Sequence, residues 1–381
     1  MKLLINASTL SSTGVTQVAV SFIEECKKII GHTYYILVSD DVSNQINQRE
    51  YPDNFIFHTI TLEPRLLFTA FSVAKQLKKL ESELKPDCTF SIFGPSYWTP
   101  KSKHLMGYAS GHYIYEDSPF FSHTSLYVLF DTFLRKTFHR YFLVRNGKYY
   151  VCETEDVKQR LPDFLGVNNR AVYTVSNSYN HFFENYSPRQ EVLLPKKEEN
   201  EFRFLSLCAF APHKNLAILN KVIPLVKKVI KNFKITFILT VDDASFQSKL
   251  SDEARASIIN LGRIDADQCP QLYYECDALF LPTLIECFSA NYPEAMKMER
   301  PILTSNLSFA ASVCEDAALY FDPIDEQDIV AKMNLLLNDA SLKKELIKAG
   351  KERVKTFNSA EQRAHAYLNI CNSISTEQIV K

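Results

Sequence analysis

Apolar residues follow two rhythms along this chain. Short unbroken apolar runs bounded by turn residues read as strands buried on both faces. Longer stretches with apolar residues three and four apart read as helices. The strand runs lie at residues 2–5, 34–38, 89–93, 105–109, 149–152 and 172–175, and again at 204–207, 235–240, 258–261, 278–282 and 301–304. Helical spacing covers 15–30, with Val18, Phe22 and Ile23 on one face, then 65–84, 215–230 and 290–298, and it dominates from 327 on. In 215–230 the apolar stripe is Leu216, Leu219, Val222, Ile223, Val226 and Ile230.

Strands alternating with helices predict an α/β protein with parallel sheets covered on both faces. The alternation stops at residues 184–201, ENYSPRQEVLLPKKEENE, where two prolines and mixed charge mark a linker, and then restarts. Two α/β halves are therefore expected, an N-terminal one over 1–183 and a C-terminal one over 202–359. A length of 381 residues agrees with two or three domains. Ligands on such sheets sit beyond the carboxyl ends of the strands, and a cleft between two domains is a common ligand site.

Composition narrows the class. Hydrophobic residues at 46% and charged residues at 23% are ordinary for a globular chain and exclude a disordered one. The formal charge of -1 gives no reason to expect nucleic acid as a partner. Nine widely spaced cysteines, with no C-x-x-C, argue for free thiols over a disulfide framework or zinc site. The start, MKLLINASTL, has an apolar run too short for a signal peptide, and no stretch is apolar enough to span a bilayer. A cytoplasmic protein is expected.

Chemistry concentrates in residues 279–323. Glu286 falls in a loop past a strand, and Glu294 in the first turn of the next helix. A carboxylate there is favoured by the helix dipole and accepts hydrogen bonds from hydroxyls. The N–H groups of residues 289–292 would form an anion site. Spacing alone favours a helix-start carboxylate with no ligand. The stretch as a whole says more: Glu286, Phe288, Glu294-Ala295-Met296, Pro301-Ile302-Leu303, Ser305, Asp316-Ala317-Ala318 and Phe321-Asp322-Pro323 follow one another in order. That series resembles the E-x7-E signature of retaining glycosyltransferases of family 4. The resemblance implies a GT-B fold, in which two Rossmann-like domains face each other across a cleft. It covers the second half well and the first more loosely.

The resemblance assigns further residues. Lys214, followed by Asn215, matches a lysine that contacts the donor diphosphate, where a cation offsets the charge growing on the leaving phosphate. An arginine is common about six residues earlier in the family, and here Cys208 stands near that place. Gly262 and Arg263 match a turn that reads the nucleotide base. Phe288, Ser289 and Ala290 lie along the donor, although Cys287 and Ser289 replace glycines that let backbone approach phosphates. In the first half, Gly14 stands in the first strand-to-helix loop, Asn177 in a turn leading out of the domain, and His112 in a loop near the donor sugar and acceptor. A turn histidine with only a structural role fits His112 as well. The helix at 360–381 is expected to pack back on the first domain.

The implied activity is transfer of a sugar from a nucleotide-sugar donor to a glycan or lipid-linked glycan acceptor, in bacterial surface polysaccharide synthesis. The catalytic residues would be Glu286, Lys214 and His112, with no cofactor and no metal. Asp265-Ala266-Asp267 spells D-x-D but follows the base-reading turn, outside the context where that motif holds metal. A nucleotide-sugar epimerase of the same fold and a non-catalytic donor-binding partner protein are the alternatives. Residues 127–150 combine many aromatics with Arg135, Lys136, Arg140, Arg145 and Lys148 against Asp131. They suit a helix lying on an anionic membrane, or a core helix with a solvated cationic edge.

Overall fold

A computed structural model describes residues 1–10, 13–61, 67–184, 186–188 and 192–376. The chain forms two compact units. The first comprises Met1–Ile114, Phe130–Asn177 and the chain from Asn358 on, and the second comprises Tyr115–Leu129 and Ser178–Phe357. The change of unit thus falls between Asn177 and Ser178, ahead of the proline-rich stretch, part of which lies outside the described residues.

The first unit is built on β1 (Lys2–Ala7), β2 (Thr33–Val38), β3 (Phe55–Thr59), β4 (Cys88–Ser91), β5 (Lys103–Gly107), β6 (Tyr149–Cys152) and β7 (Val172–Thr174). They form one parallel sheet in the order β3-β2-β1-β4-β5-β6-β7. Leu3, Leu4 and Ile5 of β1 are all fully buried, which is why the strand reads as an unbroken apolar run. Gly107 closes β5 where no side chain fits, since a Cβ would lie 1.8 Å from the Ile92 carbonyl oxygen. The C-terminal helix Ala360–Thr376 belongs to this unit. Its Tyr367 packs against Phe22 and Phe90, with ring centroids 5.4 and 4.9 Å away.

The second unit contains β8 (Glu201–Ser206), β9 (Lys234–Leu239), β10 (Ile258–Asn260), β11 (Ala278–Leu281), β12 (Ile302–Ser305) and β13 (Ala318–Phe321). All are parallel, in the order β10-β9-β8-β11-β12-β13. Phe237, Phe204, Phe280 and Phe321 form a continuous row of rings at 5.4–6.3 Å across this sheet. Ser206 Oγ donates to the Phe280 carbonyl at 2.6 Å, tying β8 to β11. Strand order reverses between these two strands, the place where such sheets bind ligands. Both units are therefore Rossmann-like.

Several elements depart from the sequence pattern. The helix read over 215–230 is Leu219–Val229, preceded by a 3-10 turn, because Asn215 takes a left-handed conformation (φ 55°). Its apolar stripe is nevertheless buried throughout. The helix read over 15–30 spans Thr13–Cys26, and the amides of Lys27, Lys28 and Ile29 turn back to carbonyls three residues earlier. Strands β3 and β13 and the helix Glu155–Leu165 are additional. All nine cysteines are free thiols, seven of them buried.

Candidate active site

The loops leaving β8 and β11 bring Lys214 and Glu286 together. Lys214 Nζ donates to Glu286 Oε1 at 2.6 Å, and both side chains are largely buried (14% and 18% exposed). Burial opposes the Lys214 charge, but the facing Glu286 carboxylate outweighs it and holds the ammonium above its ordinary pKa. Lys214 is carried by a 3-10 turn, Pro212–Lys214, that ends on left-handed Asn215, whose side-chain amide donates to the Pro323 carbonyl at 2.8 Å. The Leu284 amide donates to the His213 carbonyl at 2.7 Å and stitches the two loops to each other. The sequence reading gave Lys214 and Glu286 separate roles. Their direct pairing is what the fold adds.

One oxygen of this pair is unused. Glu286 Oε2 is buried and has no hydrogen-bond partner among the described residues, and the same holds for Thr283 Oγ1 three residues earlier. A buried acceptor without a donor costs about 1–3 kcal/mol, so the arrangement is poised for a ligand hydroxyl. Cys208, where the resembling family commonly has arginine, has its thiol pushed up to about 11 by burial, eased by Lys214 and reinforced by Glu286.

Glu294 lies in the short helix Asn291–Lys297, 9% exposed. Burial raises its carboxyl to about 7 despite a hydrogen bond from Tyr273 Oη at 3.2 Å. Tyr273 Oη also lies 2.9 Å from Asn291 Oδ1, and Asn291 Nδ2 donates to the Leu207 carbonyl at 3.0 Å. Tyr273 and Asn291 thus lock Glu294 to the end of β8. Neither was marked by the sequence, although Asn291 sits inside the motif. The expected row of free amides over 289–292 is incomplete, because the Tyr292 N–H donates to the Ser289 carbonyl at 3.2 Å.

Phe288 is half-buried, edge-on to Phe357 at 6.1 Å. Ser289 is buried, its Oγ accepting from Asn291 Nδ2 at 3.3 Å, and half-buried Ala290 caps the helix. Gly262 has φ +69° with open space around it, beside exposed Arg263. Asn260 shapes that turn, accepting from the Val241 amide at 3.1 Å and donating to its carbonyl at 2.9 Å. Asp265 closes a capping box with Gln268, a structural use for this aspartate. From the N-terminal half of the chain, Ser118 also belongs to the second unit, and its Oγ donates to the Leu284 carbonyl at 2.7 Å.

Gly14, His112 and Asn177 belong to the first unit. Gly14 stands in the first turn of Thr13–Cys26 with open space around it, and His112 is half-buried in a 3-10 turn. Asn177 is buried and fully engaged. It donates to Glu153 Oε1 at 2.8 Å and accepts from Arg363, which also donates to Ser21 Oγ at 2.8 Å. That network anchors the C-terminal helix. His104, among the apolar strands, bridges Ser91 Oγ at 3.0 Å and the Asn146 carbonyl at 2.9 Å, and burial lowers its pKa to about 4.

Comparisons with known proteins bear on this geometry. Residues 193–353 match the family model described as "Glycosyl transferases group 1". A curated relative, the O-antigen chain mannosyltransferase RfbU of Salmonella typhimurium, is 25% identical over 210 residues, covering 52% of this chain and 54% of its own length. The chain thus spans about half the length of the curated relative it matches. Among solved structures, a glycosyltransferase from Rickettsia africae superposes with a TM-score of 0.72 at 18% identity, covering 99% of both chains. Anabaena HepE, solved in complex with UDP and glucose, gives 0.71 at 12% identity, covering 98% of this chain and all of its own. WaaG, a glycosyltransferase involved in lipopolysaccharide biosynthesis, gives 0.69 at 11% identity, covering 97% and 99%. The chain has the GT-B fold, and the stretch holding Lys214, Glu286 and Glu294 lies within the residues that match the group 1 glycosyl transferase model.

Proposed function

We propose that the protein is a retaining glycosyltransferase that moves a sugar from a nucleotide-sugar donor to a lipid-linked glycan acceptor on the cytoplasmic side of a membrane, in surface polysaccharide synthesis. The observation carrying this reading is the buried Lys214–Glu286 pair with one carboxylate oxygen unsatisfied, at the strand-order reversal of the second sheet. The names of the relatives support it. HepE was solved with UDP and with UDP-glucose, and RfbU is an O-antigen mannosyltransferase.

In this reading Glu286 Oε2 accepts a hydroxyl of the donor sugar and orients it. Lys214 spends one N–H on Glu286 and keeps two for the diphosphate. As the bond between the anomeric carbon and the diphosphate oxygen breaks, negative charge grows beside that ammonium. The acceptor hydroxyl attacks from the face the diphosphate leaves, its proton passes to the departing phosphate, and the products are the glycoside and a nucleoside diphosphate. Glu294 accepts the ribose hydroxyls, and the Gly262–Arg263 turn, with Phe288, Ser289 and Ala290, lines the rest of the donor. Gly14, His112 and Asn177, all in the first unit, keep their proposed roles toward donor and acceptor, Asn177 through its backbone because its side chain is engaged. No metal enters this scheme.

The test is incubation with a panel of nucleotide sugars, with and without lipid-linked glycans, followed by mass analysis. Sugar appearing on the acceptor with release of nucleoside diphosphate supports the proposal. A free, rearranged nucleotide sugar without acceptor would make the protein an epimerase, and donor binding with no turnover would make it a binding partner.

A further inference from the structure

His112 sits in the 3-10 turn Gly111–Tyr113 of the first unit, half-buried between two buried neighbours, Gly111 and Tyr113. So short a turn has little backbone bonding of its own. The Tyr113 amide donates to the Ser110 carbonyl at 3.2 Å, and the Ile114 amide to the Gly111 carbonyl at 3.1 Å. Side chains must therefore help to set where it stands. Tyr108 Oη donates to the Ser110 carbonyl at 2.9 Å and fixes the entry to the turn. Tyr113 reaches the long helix Leu126–Asn146, where its Oη lies 2.9 Å from His139 Nδ1. The Tyr113 ring also packs on Phe164, with centroids 6.0 Å apart.

Burial pushes the Tyr113 hydroxyl up to about 12. Burial also lowers the His139 imidazole, and Arg135 lowers it further. At neutral pH both partners are therefore uncharged. Two apolar side chains would cover the same surface without desolvating a phenol and an imidazole. What the polar pair supplies instead is direction. A hydrogen bond fixes the rotation of the Tyr113 ring and the height of the turn against the helix, which rings in van der Waals contact alone do not. His112 is the next residue along the same backbone, so a shift of the Tyr113 ring re-aims the His112 imidazole.

We infer, resting on the role proposed for His112, that Tyr113 and His139 are a pair of positioning residues that fix the direction of the His112 imidazole. The test is steady-state sugar transfer by Tyr113→Phe, His139→Leu, His139→Asn and His112→Ala in the full chain. Isotope-labelled histidines let the His112 ring signal, assigned by its loss in His112→Ala, be followed by NMR in the same proteins. Tyr113→Phe and His139→Leu should each lower kcat by about ten- to a hundredfold while leaving the donor KM within about twofold. The double variant should be no worse than either single one, because each removes the same bond. Asparagine places a polar atom where Nδ1 stands, so His139→Asn should bring kcat back to within about threefold of wild type. The His112 signal should move in Tyr113→Phe and His139→Leu and return to its wild-type position in His139→Asn. Circular dichroism checks that each variant is folded. Wild-type kcat in Tyr113→Phe and His139→Leu, beside an inactive His112→Ala, would overturn the inference and leave the role of His112 standing. Full activity in His112→Ala would remove that role, and the NMR signal would then decide alone: an unmoved His112 ring in Tyr113→Phe overturns the inference, and a moved one supports it. A loss of kcat that His139→Asn fails to restore would give the pair to packing and overturn it too.

Discussion

Glu294→Gln should make the ligand-free protein more stable at pH 8 while weakening its grip on nucleotide. Burial raises the Glu294 carboxyl to about 7, against about 4.3 for a free glutamate. The folded-state value is raised, so the bound proton favours folding fully below the ordinary value, and that contribution is lost as pH rises through about 7. Holding the charge in the folded state above that point costs roughly 3 kcal/mol. Glutamine carries no charge and its amide oxygen can still accept from Tyr273, so most of that cost disappears. At roughly 2–4 °C per kcal/mol for a domain of this size, the variant should melt about 5 °C or more above wild type at pH 8. The gap should shrink below pH 7 and vanish near pH 4.5. Ribose hydroxyls favour the ionised carboxylate, so wild-type affinity for nucleoside diphosphate should rise with pH through about 7, and the variant should lose that pH dependence. Scanning calorimetry and titration calorimetry over the same pH series measure both. A variant no more stable than wild type at pH 8 would refute the burial argument. Unchanged nucleotide affinity across pH would refute the ribose assignment alone.

Further outcomes follow from the neighbouring loops. Ser118→Ala removes the buried bond to the Leu284 carbonyl. It should cost about 1 kcal/mol of stability and lower kcat more than it raises KM, because the Glu286 loop loosens without losing a ligand contact. Sugar transfer should survive excess EDTA, since Lys214 supplies the cation and Asp265 is engaged in a capping box. Loss of turnover restored by manganese would contradict that. Arg363→Ala should lower the melting temperature of the first unit by breaking the Glu153–Asn177–Arg363–Ser21 network, as scanning calorimetry would show.

The buried parallel strands were legible because a strand covered on both faces must be apolar at every position, as Leu3, Leu4 and Ile5 are. Strand β3 escaped because it lies at the sheet edge, where Ile56 is 40% exposed and the apolar run is broken by His58. The start of the helix after Lys214 was misplaced by the left-handed Asn215, a tertiary choice held by the Pro323 carbonyl more than a hundred residues away. Glu286 and Glu294 could be picked out because they sit in one ordered motif series, and Lys214 because Asn215 follows it after a strand. The contacts that set their chemistry could not. The Lys214–Glu286 bond joins residues 72 apart, Tyr273 reaches Glu294 across 21 residues, and Ser118 reaches Leu284 across 166. Each depends on which strands neighbour one another, and no local pattern encodes that.

The central claim is that the Lys214–Glu286 pair acts on the donor sugar as its bond breaks. It is tested most directly by turnover at saturating donor and acceptor for wild type, Glu286→Ala and Lys214→Ala, with calorimetry of the nucleoside diphosphate alongside. The account predicts a fall of about two to three orders of magnitude in kcat for both variants, with Glu286→Ala still binding the nucleotide near wild-type affinity. Near-wild-type turnover in either folded variant would contradict it.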